Sequence, residues 1–315
     1  MKASIDTAAE YLIELKGVFK ARSRQAIGPL DLKLPAGYVV ALVGQNGSGK
    51  STLMNLMTQL IQPDAGELRW FGESYPEGLP PEVRQRIGYV PENFSVEENR
   101  MTVEQAAEFR SYWYPDWDQA RFEALLDRFK VPRGTKLSKM SKGERRKFEI
   151  AAALAPHPRL LLLDEPSSGF DPFAWKIMLE ELRACLEEDG TTILLATHIV
   201  DEIKRLADYI VLIHRGRILG RAEKDSLMES WKEIWFEGSA EDAADLPGVA
   251  EHSEEGSGLQ RVVTMEAAAA GQLIAQSGLR LLRTRNLELD DILSYWIAGR
   301  VPSGIEHSGE GEGYQ

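Results

Sequence analysis

The stretch from Tyr38 to Leu60 restricts this chain more than any other. Tyr38–Val43 is continuously apolar, as a strand buried on both faces must be, and it runs directly into Gly44-Gln45-Asn46-Gly47-Ser48-Gly49-Lys50-Ser51-Thr52. Leu53–Leu60 follows with helical spacing. A strand, a glycine-rich loop and a helix in immediate succession fit the pattern G-x-x-x-x-G-K-[ST] over Gly44–Ser51. Its glycines let successive backbone N–H groups point into one concavity, and the helix start adds positive partial charge, so the loop is shaped to cradle phosphates. Lys50 is then placed to reach β- and γ-phosphates, and the Ser51 hydroxyl to ligate Mg²⁺.

A second apolar run, Leu160–Leu163, ends in Asp164-Glu165-Pro166. Such a strand lifts both carboxylates to the carboxyl edge of its sheet, where open α/β folds bind ligands. Asp164 suits holding Mg²⁺, and Glu165 suits polarising an attacking water, because phosphoryl transfer depends on positioning and charge stabilisation. Thr192–Ala196 is a further strand leading into Thr197-His198, and Leu30, Leu32 and Leu34 alternate with Asp31 and Lys33 in the period-2 pattern of a half-exposed strand. Strands alternating with helical runs such as Phe148–Ala155 and Ile177–Glu188 predict a mostly parallel sheet wrapped by helices.

Between Met101 and Lys130 the pattern is helical, broken at Tyr114-Pro115-Asp116, which predicts a helical insert with Tyr112, Trp113, Tyr114 and Trp117 in its local core. Ile210–Ile213 and Ile218–Gly220 flank a hairpin turn. Composition then shifts to an amphipathic Asp225–Trp235, an acidic Glu237–Gly258, strands at Arg261–Thr264 and Leu279–Leu282, and a helix at Glu266–Gln276. The expected organisation is one domain over 1–222, a small α+β appendage over 223–300 and a disordered tail over 301–315.

Composition excludes several classes. The 37 basic and 49 acidic residues give a formal net charge of −12, which argues against nucleic acid as the main partner. The single cysteine, Cys185, rules out a disulfide framework and suits a reducing compartment. Apolar runs are strand-length, far short of the roughly 20 residues that cross a bilayer. Met1–Glu10 carries Asp6 and Glu10 and lacks the apolar core of a signal peptide.

Met140-Ser141-Lys142-Gly143-Glu144 opens a further helix upstream of the acidic pair. Taken with the phosphate loop, Asp164-Glu165-Pro166, Ser168-Gly169-Phe170-Asp171 and Ala196-Thr197-His198, it makes residues 10–222 closely resemble the nucleotide-binding subunit of ABC transporters. That resemblance implies an α/β ABC-type P-loop ATPase with a mostly parallel core sheet, antiparallel N-terminal strands and a helical insert over about 93–158. It implies ATP and Mg²⁺ as cofactors, with ATP hydrolysis as the reaction. Ser141 and Gly143 would bind the γ-phosphate held by a partner subunit, His198 would contact the γ-phosphate, and Asp171 would lie in the loop joining the two sites of a dimer. The dimer would be a homodimer or a pseudo-dimer with a related ATPase.

The family's usual signature, leucine-serine-glycine-glycine-glutamine, is altered here at Met140, Lys142 and Glu144. Glu92 stands where the family places a glutamine, a possible Mg²⁺ ligand whose added charge, close to Asp164 and Glu165, predicts at least one raised carboxyl pKa. The aromatic that usually stacks on adenine has no clean counterpart: Phe19 is nearest, with Ala21 or Arg22 at the expected position. The serine-lysine-glycine signature, the glutamate and Tyr114-Pro115-Asp116-Trp117-Asp118 together resemble a bacterial exporter-type subset that pairs with separately encoded permeases. The expected location is therefore cytoplasmic, peripheral at the inner face of the cell membrane. The alternative is a soluble ABC ATPase acting on ribosomes or DNA; such proteins usually carry two cassettes or long coiled-coil arms, which this sequence lacks.

Overall fold

A computed structural model describes residues 11–23 and 25–301; the expectations for Met1–Glu10 and for the tail beyond 301 fall outside them. In chain order the first elements are β1 (Tyr11–Lys20), β2 (Ile27–Pro35), β3 (Val39–Val43), α1 (Lys50–Met57), β4 (Ala65–Trp70), β5 (Glu73–Ser74), α2 (Pro81–Arg84) and β6 (Ile87–Val90). Next come α3 (Val103–Ser111), α4 (Gln119–Phe129), α5 (Lys142–Leu154), β7 (Leu160–Asp164), α6 (Pro172–Glu188), β8 (Thr192–Thr197), α7 (Val200–Leu206), β9 (Tyr209–His214) and β10 (Arg217–Glu223). The remainder comprises α8 (Lys224–Ser230), β11 (Lys232–Glu237), α9 (Ala240–Ala244), β12 (Val249–Gly256), β13 (Leu259–Thr264), α10 (Ala267–Gln276), β14 (Arg280–Asn286) and α11 (Leu289–Ile297). Two compact units divide the described chain: 11–207 with Ile213–Ile218, and Asp208–Leu212 with 219–301.

In the first unit β6, β7, β8 and β3 are parallel neighbours, with Ile87 opposite Leu160, Leu161 opposite Ile193 and Val39 opposite Ile193. Every residue of β3, β7 and β8 is buried, as strands covered on both faces require. Because these strands run the same way, Val43, Val90, Asp164 and Thr197 end at one edge, and that edge carries the site. A separate antiparallel sheet has the order β2-β1-β4-β5; in it Leu30, Leu32 and Leu34 are buried and Lys33 is exposed, as the alternation predicts.

The helical insert has no core of its own. Phe122, Leu125, Leu126 and Phe129 of α4 join Phe148 and Ile150 of α5 and Leu161, Leu163, Ile193 and Leu195 of the sheet in one continuous cluster. Tyr112 and Trp113, expected in that core, are instead 80% and 65% exposed. The end of the helix explains the correction: Val103, Ala106 and Ala107 form the inward stripe of α3, which stops at Ser111, so Tyr112, its C-cap, and Trp113 lie beyond the helix that carries the stripe. Arg110 extends the stripe with an ion pair to Glu98 at 2.6 Å and another to Glu149 at 2.8 Å, while Arg145 Nε donates to Glu149 at 2.6 Å. Burial alone would raise the Glu149 carboxyl, but Arg110 and Arg145 outweigh it and hold the group below its ordinary range.

In the second unit β12, β13, β11 and β14 form an antiparallel sheet around Ile234, Phe236, Val262, Ala270 and Ile274. The amphipathic Asp225–Trp235 divides here: α8 stops at Ser230, and β11 takes Lys232–Glu237. Ile234, Trp235 and Phe236 favour a pleated surface, and β11 pairs on both sides, with β13 and β14. Those two ladders fix the second half of the amphipathic stretch as strand.

Candidate functional site: a phosphate loop facing three carboxylates

The loop after β3 bends as its glycines allow. Gly47 and Gly49 lie in the left-handed region at φ 81° and 114°. A Cβ on Gly44 would stand 2.3 Å from the Ile213 carbonyl oxygen, so only glycine fits there. Ser48 N–H donates to the Gln45 carbonyl at 3.0 Å, and Gly216 N–H donates to the Ser48 carbonyl at 2.9 Å, which fixes the loop from behind. Lys50 opens α1 and curls back across its own loop, its Nζ donating to the carbonyls of Gly44 at 2.7 Å and Gln45 at 3.4 Å. Phosphate oxygens, being charged acceptors, would compete with these neutral carbonyls for the ammonium.

A cavity of about 520 Å³ opens over the loop. Asn46, Gly47, Gly49, Lys50, Ser51 and Thr52 line one side, and Glu92, Asp164, Glu165, Ser168 and His198 line the other. Gly44, Gln45 and Ser48 act behind this surface through their carbonyls. Arg22, Ser23, Gln25 and Ile27 also reach the cavity. Of the three residues weighed beneath adenine, Arg22 is the one that lines it. Phe19 pairs with Ala65 in the antiparallel sheet, and neither Phe19 nor Ala21 contributes to the lining.

Glu165 has an unusual backbone for a glutamate, φ 49°, with its N–H donating to the Ala196 carbonyl at 2.8 Å. That turn aims Oε2 at His198 Nδ1, 2.8 Å away, and sets Oε1 3.9 Å from Lys50 Nζ. Asp164 is 1% exposed, and its Oδ1 is buried with no hydrogen-bond partner. Burial foremost, then the Glu92 and Glu165 carboxylates, push the Asp164 carboxyl above its ordinary range, against the Ser51 hydroxyl and Lys50. The raised carboxyl predicted from like charges is present, but desolvation is its larger cause.

The donor set fits a hard cation: a hydroxyl on Ser51, an unpartnered carboxylate oxygen on Asp164 and the Glu92 carboxylate, all oxygen. Among the described residues no three acidic, histidine or cysteine side chains converge to hold an ion unaided. Mg²⁺ commonly takes its remaining ligands from phosphates and water.

Ser141, Gly143 and Asp171 lie outside this cavity. Ser141 caps α5, with its N–H and Oγ–H both donating to Glu144 Oε2 at 2.8 Å. These bonds hold the Glu144 carboxyl below its ordinary range. Gly143 faces Gly169, whose carbonyl oxygen would lie 2.4 Å from an added Cβ, so the glycine admits the Ser168–Asp171 loop against the helix start. Asp171 accepts from Phe173 N–H and Ala174 N–H at 2.9 Å and begins α6. In the basic run Arg145-Arg146-Lys147 that follows, Arg145 and Arg146 are 4% and 0% exposed, a burial that residue type alone does not signal.

Residues 27–168 match the family model described as ABC transporter. The daunorubicin/doxorubicin resistance ATP-binding protein DrrA of Streptomyces peucetius is 36% identical, over 72% of this chain and 69% of its own. The Nod factor export ATP-binding protein I of Cupriavidus pinatubonensis is 32% identical over 89% and 90% respectively. Among solved structures, an ATP-binding subunit of an ABC transporter superposes with a TM-score of 0.62 at 29% identity, covering 69% of this chain and 92% of that one. A bacterial ABC transporter cassette solved as a dimer gives 0.60 at 24% identity over 67% and 98%, a likeness of fold. With its phosphate loop, acidic strand end and fold all in agreement, the chain belongs to the ATP-binding, ATP-hydrolysing subunits of ABC transporters.

Proposed function

We propose that this chain closes with a second copy, or with a related ATPase, around two ATP–Mg²⁺ and drives a separately encoded membrane permease in export. One observation carries the reading: the cavity gathers the phosphate loop, Asp164, Glu165 and His198, yet takes nothing from the Ser141–Glu144 helix start. An anion-binding helix terminus turned away from its own cavity is half of a site that another chain completes. Ser141 and Gly143 would meet the γ-phosphate held by the partner, beside Asp171. Outward transport is supported by the relatives named for drug resistance and Nod factor export. Among the described residues no helix is long and apolar enough to cross a membrane. The segment 223–300 is, in this reading, an accessory domain outside the nucleotide site.

In the reaction, Lys50 exchanges its loop carbonyls for β/γ-phosphate oxygens. Ser51, Asp164 and Glu92 would hold Mg²⁺, which would supply neutralisation of the charge developing on the phosphates. Glu165 orients the attacking water and accepts its proton, and His198 leaves Glu165 to contact the γ-phosphate. Sedimentation of Glu165→Gln at saturating ATP–Mg²⁺ tests the composite site. A dimer that Ser141→Arg abolishes without loss of ATP binding is expected; a strict monomer would contradict the reading.

A further inference from the structure

Arg146 lies five positions beyond Ser141 on α5 and is 0% exposed. Its guanidinium spans the ends of two neighbouring strands: Nη1 donates to the Pro91 carbonyl, Nη2 to the Glu92 carbonyl at 2.7 Å, and Nη1 reaches the Asp164 carbonyl at 3.5 Å. The parallel pairing of β6 with β7 stops at Val90 opposite Leu163. Pro91 has no N–H to continue it, so these strand-end carbonyls need donors from elsewhere. A planar guanidinium supplies several in fixed geometry, which a lysine ammonium cannot. The ring of Phe94 lies 4.4 Å from the guanidinium carbon and closes one face.

Charge points the same way. The acidic groups around Arg146 are Glu149 on its own helix, Asp164 and Glu165 at the end of β7, and Glu92. Glu92 adds a negative charge to a cavity wall that already holds two carboxylates. A buried cation anchored to the Glu92 backbone offsets that charge and sets the direction from which the carboxylate enters the cavity.

We propose that Arg146 is a positioning residue for the metal side of the nucleotide site: it fixes the Glu92 segment against the end of β7 and ties it to the helix that Ser141 begins. The proposal rests on the reading of Glu92 as a Mg²⁺ ligand. Because the cation holds backbone rather than a ligand atom, its removal displaces the Glu92 carboxylate without deleting it. The loss therefore registers as a weaker hold on metal, a higher Mg²⁺ requirement, rather than as a lost nucleotide contact.

The test titrates Mg²⁺ at fixed, subsaturating ATP and follows ATP binding by equilibrium dialysis in four proteins: wild type, Arg146→Lys, Glu92→Gln and the double variant. Arg146→Lys keeps the charge and loses the fork. It should raise the Mg²⁺ needed for half-maximal binding roughly tenfold, within the range of coupling between residues sharing one network. In the Glu92→Gln background the same change should shift the curve by less than about twofold. Equal shifts in both backgrounds, or no shift on Arg146→Lys while Glu92→Gln moves the curve, would overturn the positioning role alone. A Glu92→Gln curve superimposable on wild type would overturn the role and the metal reading together. Thermal unfolding establishes that each variant is folded, and Arg146→Gln, which keeps an amide donor, replaces the lysine variant in the cycle if that one is not.

Discussion

Glu165 pairs with His198: Oε2 lies 2.8 Å from Nδ1, in a side chain only 11% exposed against 63% for the histidine. In the proposed reaction the residue that would activate water is thereby held by the residue that would contact the γ-phosphate. His198→Ala should free Glu165, leave ATP affinity within about twofold, and lower turnover by roughly 10²-fold, in the range of a positioned general base. Steady-state phosphate release with parallel ATP titration measures both.

Ser141 is engaged by its own helix, since Glu144 accepts from both its N–H and its hydroxyl. Glu144→Gln removes the negative charge from the helix start that, in the proposed dimer, a partner's γ-phosphate would approach. The variant should dimerise at lower ATP concentration than wild type, as sedimentation in the Glu165→Gln background would reveal. Ser141→Ala should cost about 1 kcal/mol of stability through loss of the cap, read by denaturant unfolding.

Cys185 is 1% exposed, and burial pushes its thiol up to about 11, against the opposing pull of Arg121. An acid whose folded pKa lies above its unfolded value stays protonated in the native state, so the thiolate forms only as pH rises through about 11. Iodoacetamide at pH 8 should leave folded protein unmodified over hours and label it within minutes in denaturant. Mass spectrometry of the intact chain reads the difference.

The site was legible wherever backbone geometry demands particular residues. Gly44, Gly47 and Gly49 have conformations or close approaches that need glycine, and the apolar runs ending at Val43 and Asp164 mark strands covered on both faces. The fold followed from the same runs. Burial near a helix end was harder to read: Tyr112 and Trp113 look like core by residue type, yet α3 stops at Ser111 and leaves both exposed. Arg146 looks like surface by residue type, yet it fills the gap left where Pro91 ends a ladder. In both places tertiary neighbours, absent from any local pattern, decide what is covered. The split of Asp225–Trp235 into α8 and β11 has the same origin, since β11 is stabilised by pairing with β13 and β14.

The three carboxylates make a prediction about metal rather than protons alone. Glu92→Gln removes one negative charge beside Asp164 and Glu165, so ATP should bind more tightly without Mg²⁺ and gain less when Mg²⁺ is added. Calorimetric ATP titrations with and without the ion compare the two proteins directly.

In the proposed reaction Glu165 performs the water-activating step at a site that binds ATP through the loop around Lys50. Purified wild type and Glu165→Gln are compared in a single experiment that measures ATP affinity and phosphate release together. That role predicts unchanged affinity with turnover lowered roughly 10²-fold or more in Glu165→Gln. Hydrolysis by Glu165→Gln at the wild-type rate would contradict it.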